Sequence, residues 1–423
     1  MTGLLLVLPF ALLFLGIPIY LILLLTSLIA VAFVAGMPPT VVQTALFGAL
    51  DSFPLLAIPF FILAGEIMGQ GGIAKRLVAW ITSVIGGVRG SLPLTTIASS
   101  EVFGAISGSS VSCVAAVGRL MVPALRGAGY GERFTSGLIA SSGAIAVIIP
   151  PSIPMIIYGA TAQQPVTELF LAGFLPGLLI GAFGALYVLF RERRSAREHV
   201  RVPFAWSSVW AATKNASWAL GTLAVIFGGI YGGAFTPTEA AGVAVVYAIV
   251  VSCFIYRDLD WAGLWRICMS SAQLTAQILV IVAAAGLYSW LLTTSGLPQL
   301  VIATIKGWNL GAVETLLVFN LLLLVVGSFL EPPAAILILT PLFLPVVMSF
   351  GVDPIHFGII MTVNLSIGLY TPPFGLNLFA THSLFHAPLG VIYRGVLPFL
   401  AINLIALMVI TYVPQISLVV LGR

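Results

Sequence analysis

The sequence predicts an all-α polytopic membrane protein built as two inverted repeats, each holding a re-entrant hairpin and a broken helix. Three observations predict it. Sixty per cent of the 423 residues are hydrophobic and only 7% are charged, and apolar runs of about 20 residues, enough to cross a bilayer, follow one another nearly end to end. Double prolines interrupt two of those runs, at Pro150 with Pro151 and at Pro372 with Pro373. The spacing between the two pairs, 222 positions, also carries Pro123 onto Pro345 and Gly129 onto Gly351, as an internal duplication would.

Taken in chain order, the run from Leu4 to Val34 carries no charge and lacks a basic flank and a small-residue cleavage site. It reads as a first membrane helix rather than a removable signal. Asp51 precedes "SFPLLAIPFF" and reads as a helix N-cap. Glu66, in "LAGEIMGQGG", stands near the end of an apolar run and could cap, pair with Lys75 or Arg76, or face a cavity; a structural role is the favoured reading.

The next stretch, "SSEVFGAISGSSVSCVAAVG" over residues 99–118, is too rich in Ser and Gly for a plain spanning helix. Irregular backbone at membrane depth is tolerated only inside protein or beside water, so the expectation is a re-entrant hairpin with its Ser/Gly tip near the midplane. Close packing of helices through small residues is the competing account. "AIAVIIPPSIP", residues 144–154, follows. Each proline removes a backbone donor and clashes with the carbonyl four residues back, which predicts a broken helix with unpartnered carbonyls around Ala146 and Val147.

The basic stretch "RERRSAREHVR", residues 191–201, and an amphipathic segment after it divide the chain. The expected organisation is a first repeat over 1–190, a basic cytoplasmic linker with an amphipathic helix over 191–216, and a second repeat over 217–423. In "FTPTEAAG", Thr236 caps, Pro237 opens the helix and Glu239 completes the cap, a structural assignment. The second hairpin, "VVGSFLEPPAAILILTPLFLPVV" over 325–347, places Glu331 and a Pro-Pro pair at its tip. A carboxylate at that depth costs about 2.5–3.5 kcal/mol on insertion scales and marks function.

Charge placement orients the copies. Arg119, Arg126 and Arg133 flank the first turn, whereas the equivalent positions hold Pro341, Met348 and Ile355. Basic residues favour cytoplasmic turns, so the first turn faces in and its copy faces out. The formal charge of +4 then reports topology, not nucleic-acid binding. Cys113, Cys253 and Cys268 have no metal spacing, and His356, His382 and His386 read as single interfacial histidines.

A hard cation such as Na⁺ needs several oxygens, and broken helices with hydroxyls supply them. Ser141, Ser142, Gly143 and Ser152 stand by the first break; Asn364, Ser366, Gly368 and Thr371 stand by the second. Half-helix N-termini beside them favour an anionic group on the substrate. The economical arrangement is two related ion sites flanking one substrate site.

"AISGSSVSCVAAVG", "IIPPSIPMIIYG", "FLAGFLPG", "GGAFTPTEAAGVA" and "YTPPFGLNLF" together resemble the large membrane subunit (M or DctM type) of tripartite ATP-independent periplasmic transporters. The resemblance implies an elevator-type secondary transporter of the bacterial inner membrane. It would take up an organic anion, a carboxylate of the sialic acid or C4-dicarboxylate kind, coupled to Na⁺. It implies two partners outside this chain: a small four-helix membrane subunit (Q or DctQ type) and a periplasmic substrate-binding protein. Carried onto matching positions, the first ion site involves Ser107, Ser109, Ser110, Ser142, Gly143 and Ser152. The second involves Gly327, Glu331, Gly368, Thr371 and the Phe374 carbonyl. Ser109, Ser110, Pro150, Pro151, Asn364, Pro372 and Pro373 are the expected substrate contacts. Cys113 departs from the family pattern, in which Asp or Thr is common.

Two other readings compete. One is an ion-coupled elevator exchanger that works without a binding protein. The other is an intramembrane hydrolase with Ser107, Ser109 or Ser110 as nucleophile and His382 as base; the absence of HExxH and GxSxG motifs speaks against it, and no enzymatic activity is expected.

Overall fold

The computed structural model describes residues 2–36, 38–194 and 204–423. Among them no strand forms, and every element is helical. The first half runs α1 (Thr2–Phe14), α2 (Ile19–Ile29), α3 (Thr40–Leu50), α4 (Ala57–Gln70), α5 (Ile73–Ile85), α6 (Ser91–Ser107), α7 (Ser110–Gly127), α8 (Glu132–Ile145), α9 (Ile153–Ala162) and α10 (Val166–Arg194). After the short α11 (Trp206–Asn215), the second half runs α12 (Ser217–Tyr231), α13 (Pro237–Ile249), α14 (Trp261–Thr294), α15 (Leu297–Gly307), α16 (Ala312–Phe329), α17 (Pro332–Ser349), α18 (Pro354–Gly368), α19 (Leu376–Phe385) and α20 (Leu389–Tyr412), closed by α21 (Gln415–Leu418). Among the described residues, seven helices are long and apolar enough to cross a membrane. Six shorter apolar helices accompany them.

The halves match element by element. Ser110 opens α7 and Pro332 opens α17, 222 positions on; Glu132 and Pro354 open α8 and α18 at the same spacing. Packing partners are exchanged in the same way: α9 lies on α17 while α19 lies on α7, and α8 lies on α20 while α18 lies on α10. Such exchange is what a two-fold relation between copies produces.

Local chemistry sets the boundaries. α6 and α7 are joined only by Gly108 and Ser109, and Gly108 turns the chain at φ +56°, a left-handed value that glycine adopts at no steric cost. Ser109 caps α7 by accepting the Ser112 amide, and Ser152 caps α9 by accepting the Met155 amide. The Pro150–Pro151 and Pro372–Pro373 bonds are both cis.

Three expectations need correction. The run from Leu4 to Val34 is two helices, because Gly16 takes φ +73° and Pro18 follows it. Asp51 ends a helix instead of starting one: its amide donates to Phe47 O at 3.0 Å, and its side chain caps nothing. His356 is no interfacial residue but is buried, with Nε2 3.2 Å from Thr411 O. The basic stretch 191–201 lies, from residue 195 on, outside the described residues; the amphipathic segment after it forms α11, with Trp206 and Trp210 exposed.

The capping box at α13 is present as expected. Thr236 N donates to Glu239 Oε2 at 2.8 Å, and Glu239 N to Thr236 Oγ1 at 3.3 Å. Thr236→Ala is therefore expected to cost about 1 kcal/mol, seen as a lower unfolding temperature of the purified protein with transport unchanged. An unshifted transition would show that the box carries no weight.

Candidate transport site

The first hairpin is pressed against the first break. A Cβ on Gly104 would lie 2.3 Å from Ala146 Cα, and one on Gly108 would lie 2.8 Å from Pro151 O. Ser107 sits fully buried behind the tip, with its Oγ 3.4 Å from the Ser109 amide that it accepts. Ser110 donates to Asn377 Oδ1, and Asn377 Nδ2 donates to Ala140 O at 2.9 Å. Gly143 stands at the same place: a Cβ there would be 3.2 Å from Asn377 Nδ2 and 3.3 Å from Ser110 O. Ser107, Ser109, Ser110, Gly143 and Ser152 thus share one neighbourhood, and Ser142 stands beside Gly143 on α8.

The carbonyls freed by the break are not quite those expected. Val147 O is occupied, accepting the Ser152 hydroxyl at 2.6 Å, because Ser152 folds back over the gap. The carbonyls of Ala146, Ile148, Ile149, Pro150 and Pro151 accept no hydrogen bond.

In the second half, Gly327 of α16 and Gly368 of α18 touch backbone to backbone; a Cβ on Gly368 would lie 2.6 Å from Gly327 O. Past Gly368, Thr371 Oγ1 donates to Ile367 O at 2.8 Å and Asn377 N to Leu369 O at 2.8 Å. Pro373 O accepts the Tyr393 hydroxyl at 2.8 Å, while the carbonyls of Pro372 and Phe374 accept none. The Phe374 ring packs on Phe329, 5.2 Å between centroids.

Two buried oxygens have no partner at equivalent positions of the halves. Ser142 Oγ and Asn364 Oδ1 are both without a hydrogen bond, and both residues are at most 1% exposed. The Asn364 amide is oriented by Asn320, whose backbone and side-chain oxygens each accept from Nδ2 at 2.9 Å. A buried acceptor without a donor costs about 1–3 kcal/mol, and in each half such an oxygen, with the free carbonyls near its break, is of the donor type a hard cation takes.

The two tips meet at one cavity of about 1010 Å³, lined by Ser109 and Ser110 from the first hairpin, Glu331, Pro332 and Pro333 from the second, and Gln277 from α14. Glu331 is the N-cap residue of α17 but makes no capping bond; Pro333 has no N–H to offer it at the second helical position. Its carboxylate is left to the cavity. Glu66 is the other acid in the wall, accepting the Ser112 hydroxyl at 2.7 Å and the Gln70 amide at 3.2 Å. It does not meet Lys75 or Arg76; Arg76 pairs with Asp258 and stacks 3.7 Å over the Tyr256 ring. Among the described residues, no Lys, Arg or His lines this cavity.

Not every expected contact gathers here. Asn364 Nδ2 is engaged on the α16–α18 seam, and Asn364, Pro150, Pro151, Pro372 and Pro373 are not among the residues lining the cavity. Cys113 lies within the first hairpin, its Sγ 3.9 Å from Ser100 O. His382 bonds Ala387 O through Nδ1 at 2.8 Å and reaches none of the three serines, so the base that the hydrolase reading needs is elsewhere engaged. Asn377, Gln277 and Ser112 are polar groups of the site that the sequence reading did not single out; Asn377 stood in plain view within "TPPFGLNLF".

A family model described as "Tripartite ATP-independent periplasmic transporter, DctM component" matches residues 6–416. The C4-dicarboxylate TRAP transporter large permease protein DctM of Pseudomonas aeruginosa is 42% identical over 376 residues, covering 88% of this chain and 87% of its own. The isethionate TRAP transporter permease protein DctMQ of Oleidesulfovibrio alaskensis is 39% identical, covering 96% of this chain and 64% of its own. Among solved structures, the YdaH transporter of Alcanivorax borkumensis has a similar fold, with a TM-score of 0.63 at 16% identity over 90% of this chain and 88% of that one.

Proposed function

The chain belongs to the DctM component family of the tripartite ATP-independent periplasmic transporters, and from that premise we propose that it carries a small organic anion inward across the bacterial inner membrane, coupled to Na⁺. The carrying observation is the convergence of both hairpin tips, one from each half, on one cavity beside two broken helices. Site 1 comprises the Ser107–Ser110 tip with Ser142, Gly143 and Ser152; site 2 comprises Gly327, Gly368, Thr371 and Phe374 with Glu331. Matched relatives named for a C4-dicarboxylate and for isethionate support an anionic cargo. Asn364 fits better as an ion ligand or its support than as a substrate contact, because its free oxygen is fully buried.

Transport of this kind works by moving the tips, with their ions and cargo, against the remaining helices. The exchanged packing of the halves supports an inverted pair, in which each hairpin enters from its own side. A small membrane subunit completes the scaffold and a periplasmic binding protein presents the anion. The name DctMQ and the 64% coverage of that relative support the first partner.

The test is uptake of labelled C4-dicarboxylate or isethionate into proteoliposomes holding this chain with its small subunit. Uptake is expected only with an inward Na⁺ gradient and the cognate binding protein on the outside. Full-rate uptake without any binding protein would instead establish the exchanger reading, and uptake indifferent to Na⁺ would remove the coupling ion.

A further inference from the structure

Asn377 belongs to the second half but performs its bonding in the first. Its backbone amide donates to Leu369 O at 2.8 Å, inside the second break. Its side chain accepts from Ser110 at the first hairpin tip and donates to Ala140 O of α8 at 2.9 Å, one turn before Ser142 and Gly143. The amide orientation is forced, because Ala140 O can only accept and so must face Nδ2. The residue is fully buried, leaving no water to replace either bond.

The connection has no symmetric copy. The position equivalent to Asn377 in the first half, 222 residues earlier, is Met155, which has no amide to send back. A change in the second break, where Leu369 and Thr371 flank the proposed second ion site, is therefore delivered to Ser110 and Ala140 through a single rigid side chain. No reciprocal strut exists at Met155.

We propose that Asn377 is a positioning residue that couples the two ion sites, so that ordering of the second break by an ion presets the first site for its own. The proposal rests on the Na⁺ reading given above. Two coupled sites give sigmoidal ion dependence with a Hill coefficient approaching ~2, whereas uncoupled sites lose that steepness.

The experiment compares wild type with Asn377→Ala and Asn377→Leu in the complete reconstituted complex, with binding protein and labelled substrate, over a Na⁺ series at constant ionic strength. For Asn377→Ala the Hill coefficient is expected to fall toward ~1 and the half-saturating Na⁺ concentration to rise about tenfold. The maximal rate at saturating Na⁺ should change far less. Asn377→Leu keeps the volume while removing both side-chain bonds and should give a change of the same kind. If Asn377→Ala does not assemble, the Hill coefficient of Asn377→Leu decides alone. A wild-type Hill coefficient and Na⁺ affinity in the variants would overturn the coupling, as would a uniform loss of rate with unchanged Na⁺ dependence. Na⁺-independent uptake by wild type would remove the ion reading itself, and the coupling with it.

Discussion

Replacing Gly368 by alanine is expected to abolish uptake, reducing it more than tenfold, and to lower the unfolding temperature of the complex. The new Cβ would sit 2.5 Å from Gly327 C and 2.6 Å from Gly327 O, far inside the 3.5–4.0 Å at which carbon atoms are normally in contact. Backbone stands on both sides, so neither partner can swing away as a side chain would. Overpacking of this sort costs about 1–3 kcal/mol, and relief requires α16 to separate from α18 at the point where the second hairpin meets the second break. Gly327→Ala provides the graded control: its Cβ meets Leu365 Cδ2 at 3.1 Å and Gly368 Cα at 3.4 Å, and a leucine methyl can yield. Uptake should therefore fall less for Gly327→Ala. Equal uptake by wild type and Gly368→Ala would show that the seam opens freely and carries no part of the site.

Glu331→Gln is expected to cut Na⁺-driven uptake by about tenfold to a hundredfold, equivalent to roughly 1.4–2.8 kcal/mol at tenfold per 1.4 kcal/mol, with assembly intact. The substitution keeps the shape and removes the charge, and the folded tip makes no use of that charge: no cap bond and no ion pair involves it. What changes is the cavity, where the carboxylate stands at the tip of α17. A rise in half-saturating Na⁺, with partial recovery in Glu331→Asp, would place the loss in cation binding. Unaltered Na⁺ dependence and rate in reconstituted Glu331→Gln would remove Glu331 from the mechanism.

The features legible in the sequence are those governed by local rules. Double prolines break a helix wherever they stand, Gly108 permits its turn without help from distant residues, and the Thr236–Glu239 box closes within four positions. Both hairpins and both breaks could therefore be located in advance. The features that were not legible depend on partners far along the chain. Asn377 reaches residues 237 and 267 positions away, and nothing in its own neighbourhood marks it as different from any amide on a short helix. Glu66 could be read three ways until Ser112, 46 positions on, settled which way its carboxylate points. The occupied carbonyl of Val147 failed for a subtler reason. The prolines break the ladder by a local rule, but Ser152 next to them repairs part of the damage, a bond that only the folded geometry shows.

Among the described residues, the cavity wall contains two carboxylates and no cationic side chain, and on the proposed Na⁺-coupled reading this sets an order of events. Without bound ions the chamber repels an anion, since like charges at short range in a low-dielectric setting oppose each other by several kcal/mol at an effective dielectric near 20. The attraction that holds the cargo must arrive with the ions and leave with them. Cargo alone finds a hostile chamber, so downhill leakage of the anion through the carrier is suppressed by electrostatics instead of by a gate. On that reading coupling would reside in the wall's composition: Gln277→Lys is expected to let the anion move without its ions, measured as Na⁺-independent efflux of labelled anion from proteoliposomes.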